Sequence, residues 1–471
     1  MNTEKTQSTV DAHWDNWFVK GLSDFIDVPN LTTMVDPEYL TNGLVEDAMT
    51  LVDKYINSIG IKGLSKEIFR GEGGLPLVVY VVEPSEGVTR NVLVYGHLDK
   101  QPYGTGWEED IPPNKATLKG DLLYGRGGAD DGYAPFSCML AVKAGQEQGV
   151  KMPRIALVLE TEEESGSPNL VNLLKQASGT IGVPDCVFCM DSGAFDYEQL
   201  WMTSSLRGIA IVDMYVQAGA AGYHSGEVGG IVPETFRIVR TLLDRLDDKE
   251  TGEVCAELQM PCPQWKQDEA TAMAKLAGPT MHNKYGVVEG VKHCSMDDLE
   301  KLYSKSTWEA NMSITGTDGL PDIATAGNVI RPMTAVRISM RLPPTMDPKK
   351  ACEILEEKLT KDVPYNAKVT LKGGHAGSGW CMKDLEPWLL DSIKAAGKSF
   401  YGGKETGSYA IGGSIPFLSE LEKMYPKTQI VALGVLGPNA NAHGPNEMIH
   451  LPFTKKLTCS LAHIIQSVAE N

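Results

Sequence analysis

The sequence predicts an α/β protein: a mixed, largely parallel sheet sandwiched by helices, with an α+β domain inserted into it. Three observations carry this. Short apolar runs at 92–95, 155–159 and 186–190 have the continuous character of strands buried on both faces, and they alternate with stretches of helical spacing. From about residue 206 the segments lengthen and alternate, as half-buried antiparallel strands do. After about residue 378 the first pattern resumes. The expected division is 1–206 and 379–471 for the main domain, with 207–378 inserted between its two parts.

Composition narrows the partners. With 471 residues there is room for two or three domains and a substantial core. Apolar residues at 42% and charged residues at 22% describe an ordinary globular chain. A formal net charge of -18, without basic runs or arginine clusters, argues against nucleic acid or an anionic membrane surface as a partner. No run of 18 apolar residues occurs, and the opening MNTEKTQSTVDAHWDNW has no apolar core of signal-peptide length. Nine cysteines, an odd number spread over the chain, fit free thiols in a reducing compartment. Cys186 and Cys189 form a lone CxxC in an apolar segment and read as core thiols rather than zinc ligands. These features predict a cytoplasmic protein.

In chain order, residues 10–28 and 41–59 carry helical spacing, with Leu44, Ala48, Leu51, Val52, Tyr55 and Ile56 as an example. Strands are expected at 77–83 and 91–96. The second leads into His97, Leu98, Asp99 and Lys100, and ligands of open α/β sheets bind outside the carboxyl ends of strands. In extended backbone His97 and Asp99 point the same way, so the two could bind a metal. The carboxylate would be a ligand or the group that orients the imidazole; a loop histidine capped by Asp99 is the plainer alternative. A short strand near Leu122–Tyr124 precedes Gly125, Gly127 and Gly128, which mark a tight backbone path. Asp130 and Asp131 then stand where a helix over 135–148 begins, and the helix dipole favours carboxylates there. One Asp suffices as a cap; two in a row exceed that need.

The strand at 155–160 runs into Glu160, Glu162, Glu163 and Glu164. Like charges at a sheet edge repel unless a cation or a proton neutralises them. The apolar CVFCM ends in Asp191. Four expected strands thus deliver acids or a histidine at their carboxyl ends, which is the strongest physical sign of a site. In the insertion, LRGIAIVDMYVQAG reads as a long strand, followed by GYHSGEVGG, a helix over 233–246, strands at 335–342 and 366–371, and a helix over 348–359. The chain closes with a helix over 384–400, the turn GSYAIGGSIP, a strand at 429–435, the loop LGPNANAHGPNE and a helix over 454–468. No internal repeat or low-complexity tract is present.

HLDKQP (97–102), GRGGADDG (125–132), EEESGS (162–167), MDSG (190–193), YHSGEVGG (223–230), GGSIP (412–416) and AHGPNE (442–447) follow one another over nearly the whole chain. Together they resemble the zinc-dependent metallohydrolases that include aminoacylases and carboxypeptidases, and within these the carnosinase and cytosolic non-specific dipeptidase branch. The resemblance implies a dinuclear centre with two divalent ions per subunit. His97 and Asp191 would hold one metal, Glu164 and His443 the other, and Asp130 would bridge both. Oxygen and imidazole donors suit Zn²⁺ or Mn²⁺, and such a pair can activate water and polarise a carbonyl.

By the same resemblance Glu163 is the general base, Asp99 the acid that orients His97, and the Asp130–Asp131 peptide bond cis. The insertion becomes a lid and dimerisation domain of a homodimer. His224 reaches the active site of the partner subunit and stabilises an oxyanion there. Arg341, Asn328, His375 and Ser414 become substrate contacts, Arg341 through a fork suited to a carboxylate.

Two departures stand out. Gly132 replaces a lysine of close dipeptidase relatives, and Ala410 and Ile411 replace an Arg-Glu pair before GGSIP. Losing that carboxylate removes a contact to a free substrate amine and points to an N-acylated or bulkier N-terminal side. The expected activity is hydrolysis of peptide or amide bonds, as a dipeptidase that releases a C-terminal amino acid. The alternatives are an N-acyl-amino-acid deacylase and a catalytically silent structural relative. The intact set of five ligands with Glu163 speaks against silence.

Overall fold

The apolar runs assemble into a six-stranded sheet within the first of two units of a computed structural model, which describes residues 1–283, 286–413 and 415–471. That unit comprises Met1–Ser204, Met382–Tyr409 and Glu420–Asn471. Across the sheet the strands run Leu64–Arg70, Pro76–Val82, Arg154–Glu160, Asn91–His97, Cys186–Cys189 and Gln429–Ala432. The last four are mutually parallel, and the first two are antiparallel to their neighbours. All seven residues of Asn91–His97 are buried, which explains the unbroken apolar run. Helices Ala134–Gln148, Leu451–Val468, Pro387–Phe400 and Thr3–His13 pack on one another, and Ala134–Gln148 rests on the Asn91–His97 strand. The predicted mixed, largely parallel α/β sheet is therefore found, and the register sets His97 beside Glu160 at its carboxyl edge.

Several elements differ from expectation. Leu122–Tyr124 is not in the main sheet; it pairs with Thr117–Lys119 and Met448–His450 in a small antiparallel sheet. Its burial alternates over three residues, whereas Asn91–His97 is buried throughout. Leu64–Arg70 is a polar, largely exposed edge strand that apolar patterning does not reveal. The helix expected over 10–28 is Thr3–His13 and Lys20–Ile26 joined by a widened π turn at Trp14–Val19. Within the expected turn GSYAIGGSIP, Gly407–Ile411 is a strand.

The second unit, Ser205–Cys381 with Ala410–Ser419, holds a four-stranded antiparallel sheet. Its order is Asn311–Asp318, Met333–Leu342, Gly208–Gln217 and Lys368–Gly377. One face buries Met214, Val216, Val336, Ile338 and Met340 against the helices Thr235–Leu243 and Pro348–Thr360. The other face is polar and carries the Arg337–Asp213 ion pair at 2.6 Å. Helices Gln264–Ala277 and Leu299–Thr307 pack together in a part of this unit for which the sequence reading proposed no element. Cys186 and Cys189 are buried free thiols. Among the described residues no helix is long and apolar enough to cross a membrane.

Candidate metal centre

The chain turns out of the sheet at His97. Its Nδ1 lies 3.0 Å from the carbonyl oxygen of Asp99, so the Nδ1–H donates there. Nε2 is then left facing Asp130 Oδ1 at 3.2 Å and Asp191 Oδ2 at 4.0 Å. Gly96 makes room for this: a Cβ there would stand 2.6 Å from Ala134 Cβ and 2.7 Å from Asp131 Oδ2. Asp131 in turn accepts the backbone N–H of His97 at 3.3 Å, and the Asp130–Asp131 peptide bond is cis.

The second oxygen of Asp130 lies 3.1 Å from His443 Nε2, which is also 3.2 Å from Glu164 Oε2. Two groups result, His97–Asp130–Asp191 and Asp130–Glu164–His443, each offering donor atoms within 4.8 Å of one another. They share Asp130. All five residues expected to bind metal are thus brought together in the first unit. Glu163 and Glu164 sit on the short turn Glu163–Ser165, with Glu164 buried and Glu163 partly exposed. Asp99 pins that turn: its carboxylate accepts the N–H of Glu163 on one oxygen and of Glu164 on the other, each at 3.0 Å. Its nearer oxygen is 3.5 Å from His97 Nδ1, so the closer hold on His97 comes from the Asp99 carbonyl.

Electrostatics indicate what this group can hold. Burial pushes Asp191 up to about 6, with Asp130 adding to the shift. Burial and the same neighbour push Glu164 up to about 7. Glu163 is raised well above the ordinary range by burial and by Asp191. Burial works against a charged His443, yet its hydrogen bonds to Asp130 and Glu164 push it up to about 11. These are carboxylates short of positive charge, and Glu164 Oε1 is buried with no hydrogen-bond partner among the described residues. The donor set of imidazole and carboxylate, an orphaned oxygen and a shared central carboxylate fit divalent metal ions.

His224, Asn328, Arg341 and His375 belong to the second unit. His224 pairs with Val329 in a two-residue ladder, and Ser225 N–H donates to the Asn328 carbonyl at 2.9 Å, so His224 and Asn328 are neighbours. Exposed His224 accepts the Gly226 N–H on Nδ1 at 3.1 Å, so its neutral ring carries the proton on Nε2. Arg341 pairs with Ile209 and His375 with Ile211, which puts both on the polar face of the sheet. His375 follows a bulge at Gly373 and Gly374 that shifts the register between Lys372 and itself. Burial lowers the Arg341 pKa, with no carboxylate beside it among the described residues. Ser414 lies outside the described residues.

Three residues were overlooked by the sequence reading. Gln101 donates to Glu164 Oε2 at 2.7 Å. Buried Arg126 and Glu447 form an ion pair at 2.8 Å next to Asp130. A usable signal existed, since Gln101 and Glu447 each stand four residues after a histidine of the centre.

Against known proteins, the sequence profile of Peptidase family M20/M25/M40 matches residues 93–467. The Cys-Gly metallodipeptidase dug1 of Schizosaccharomyces pombe is 26% identical, over 100% of this chain and 99% of that protein. The solved structure of the di-peptidase Dug1p from Saccharomyces cerevisiae matches with a TM-score of 0.80 at 22% identity, covering 100% of this chain and 99% of that one. Human carnosine dipeptidase 1 matches with a TM-score of 0.78 at 20% identity, again over 100% and 99%. These two structures share the fold, and the profile spans every residue from His97 to His443 that the centre brings together. The chain belongs to peptidase family M20/M25/M40.

Proposed function

We propose that the chain is a dinuclear-metal dipeptidase that releases a C-terminal amino acid. The observation that carries this is Asp130, which turns one oxygen to His97 and the other to His443. The dipeptidase names of the relatives support the substrate class. In this reading His97 and Asp191 would hold one ion and Glu164 and His443 the other, with Asp130 serving both and Zn²⁺ or Mn²⁺ as the metal. Bound there, two ions would polarise the scissile carbonyl and acidify a water.

The chain's own groups do the rest. Glu163 takes the proton of the attacking water and returns it to the leaving amine. Asp99 keeps Glu163 and Glu164 in place through their backbone N–H groups. Arg341 receives the substrate carboxylate, aided by Asn328, His375 and Ser414. His224 donates its Nε2–H to the developing oxyanion. The inserted 207–378 segment serves as lid and dimer-forming domain of a homodimer, and the protein works in the cytoplasm.

The test is an assay of purified protein, supplied with Zn²⁺ or Mn²⁺, against free dipeptides, their C-terminal amides and N-acyl amino acids. Free dipeptides should be cleaved, and Arg341→Ala should slow them far more than it slows the amides. Turnover of N-acyl amino acids without dipeptide hydrolysis would overturn the reading. Elemental analysis should give about two ions per chain. Asp130→Ala should lose both and His97→Ala mainly one; active protein holding one ion or none would remove the dinuclear mechanism.

A further inference from the structure

The loops that carry Asp130 and His443 leave the same small ladder. Leu122–Tyr124 pairs with Met448–His450, with Tyr124 opposite Met448. From Tyr124 the chain runs forward through Gly125–Gly128 to Asp130; from Met448 it runs back through Glu447 to His443. Where the strands part, Glu447 fills the gap. Its carboxylate is fully buried and takes four N–H donors. Oε2 accepts from Arg126 Nη1 at 2.8 Å and from the Gly127 N–H at 3.1 Å. Oε1 accepts from the N–H groups of Ala129 at 3.1 Å and Asp130 at 3.3 Å. Arg126 completes the link with Nη2, which donates to the Gly444 carbonyl at 2.8 Å, one residue past His443. One ion pair therefore grips the backbone at Asp130 and the backbone beside His443.

We propose that Arg126 and Glu447 are positioning residues of the metal centre: they fix Asp130 and His443 relative to each other, so that the site shared by these two and Glu164 is formed before metal arrives. This rests on the two-metal reading above. A pair kept only to stabilise the fold would need no such directed set of contacts to the two loops. A buried ion pair is a weak source of stability, because desolvation offsets most of its attraction. What it supplies here is geometry, and outer-shell partners of metal ligands typically set affinity by roughly 10–100-fold.

Glu447→Gln keeps the shape but not the pattern of acceptors. An amide accepts on one oxygen only, and its NH₂ would face two of the N–H donors. Arg126→Lys keeps the charge but replaces the planar fork, whose two nitrogens reach Glu447 and the Gly444 carbonyl separately, with a single nitrogen on a shorter stem. As a control, Thr458→Val removes the buried hydrogen bond between Ser137 and Thr458 hydroxyls, 2.9 Å long and between two helices. Each protein is stripped with a chelator, checked for fold by circular dichroism, and titrated with Mn²⁺ in a calorimeter.

The unmodified chain should bind two ions. Glu447→Gln should bind one of them roughly 10–100-fold more weakly, with a smaller change at the other, and Arg126→Lys should fall between. Thr458→Val should leave both affinities unchanged. Two ions bound to Glu447→Gln with unaltered affinity, or losses matched by Thr458→Val, would overturn the assignment. So would variants that no longer fold without metal, since the pair would then be a stability element. A single ion in the unmodified chain would instead refute the two-metal reading itself.

Discussion

Glu163→Gln should slow dipeptide hydrolysis by roughly 10²–10⁴-fold while leaving metal content near that of the unmodified chain. Glutamine has the size and hydrogen-bonding reach of glutamate but cannot take a proton. The turn that carries residue 163 is held by backbone donation to Asp99, not by its own side chain, so the substitution leaves the turn in place. Position 164 behaves differently. Its carboxylate is buried against His443 and receives the Gln101 amide, so Glu164→Gln should cost metal as well as rate. Adjacent residues of one type thus separate into a proton carrier and a metal holder, and elemental analysis beside the rate assay distinguishes them. Near-normal turnover in Glu163→Gln would show that another group is the base. Loss of metal in that variant would show that the two glutamates had been exchanged.

The parts of the centre that the sequence disclosed are those where chemistry sits on a core strand. Asn91–His97 and Cys186–Cys189 are buried throughout and Arg154–Glu160 from Ile155 onward, so their apolar runs are plain and the His or acid at or just beyond each end stands out. Asp130 was found for a different reason than the one that places it. The strand before it, counted in sequence with those that end at the site, belongs to the small antiparallel sheet rather than to the main one, while the glycines do mark its loop. Asp99 was recognised as a partner of His97, but its carboxylate binds N–H groups more than sixty positions later, which no local pattern encodes. Gln264–Ala277 was passed over because its inner face holds Lys266, Ala270, Met273 and Ala277. A lysine buried by pairing with Glu269 at 2.6 Å, among alanines, blurs the apolar stripe that announces a helix. Leu64–Arg70 is polar because it is an edge strand, and such strands carry charge where core strands carry valine.

His224 should act in trans. Its Nδ1 is occupied by the Gly226 N–H, so the imidazole presents Nε2–H, the donor that a developing oxyanion requires. In the proposed homodimer the inserted domain would carry this histidine to the neighbouring site. Removing one oxyanion donor typically costs roughly 10²–10³-fold in rate, so His224→Ala homodimers should be nearly inactive with their metals in place. Glu163→Gln homodimers should be nearly inactive too. A mixed dimer of the two should recover one working site. The subunit with His224→Ala keeps its own Glu163 and borrows His224 of the partner subunit, which carries Glu163→Gln. The other site has neither group. If His224 acted within its own subunit, each site of the mixed dimer would lack one of the two groups and no activity would return. Co-expression with two different tags, isolation of the heterodimer and assay of dipeptide hydrolysis measure this directly. Activity near half that of the unmodified dimer is the expected result, and a verified heterodimer without activity would end the shared-site model.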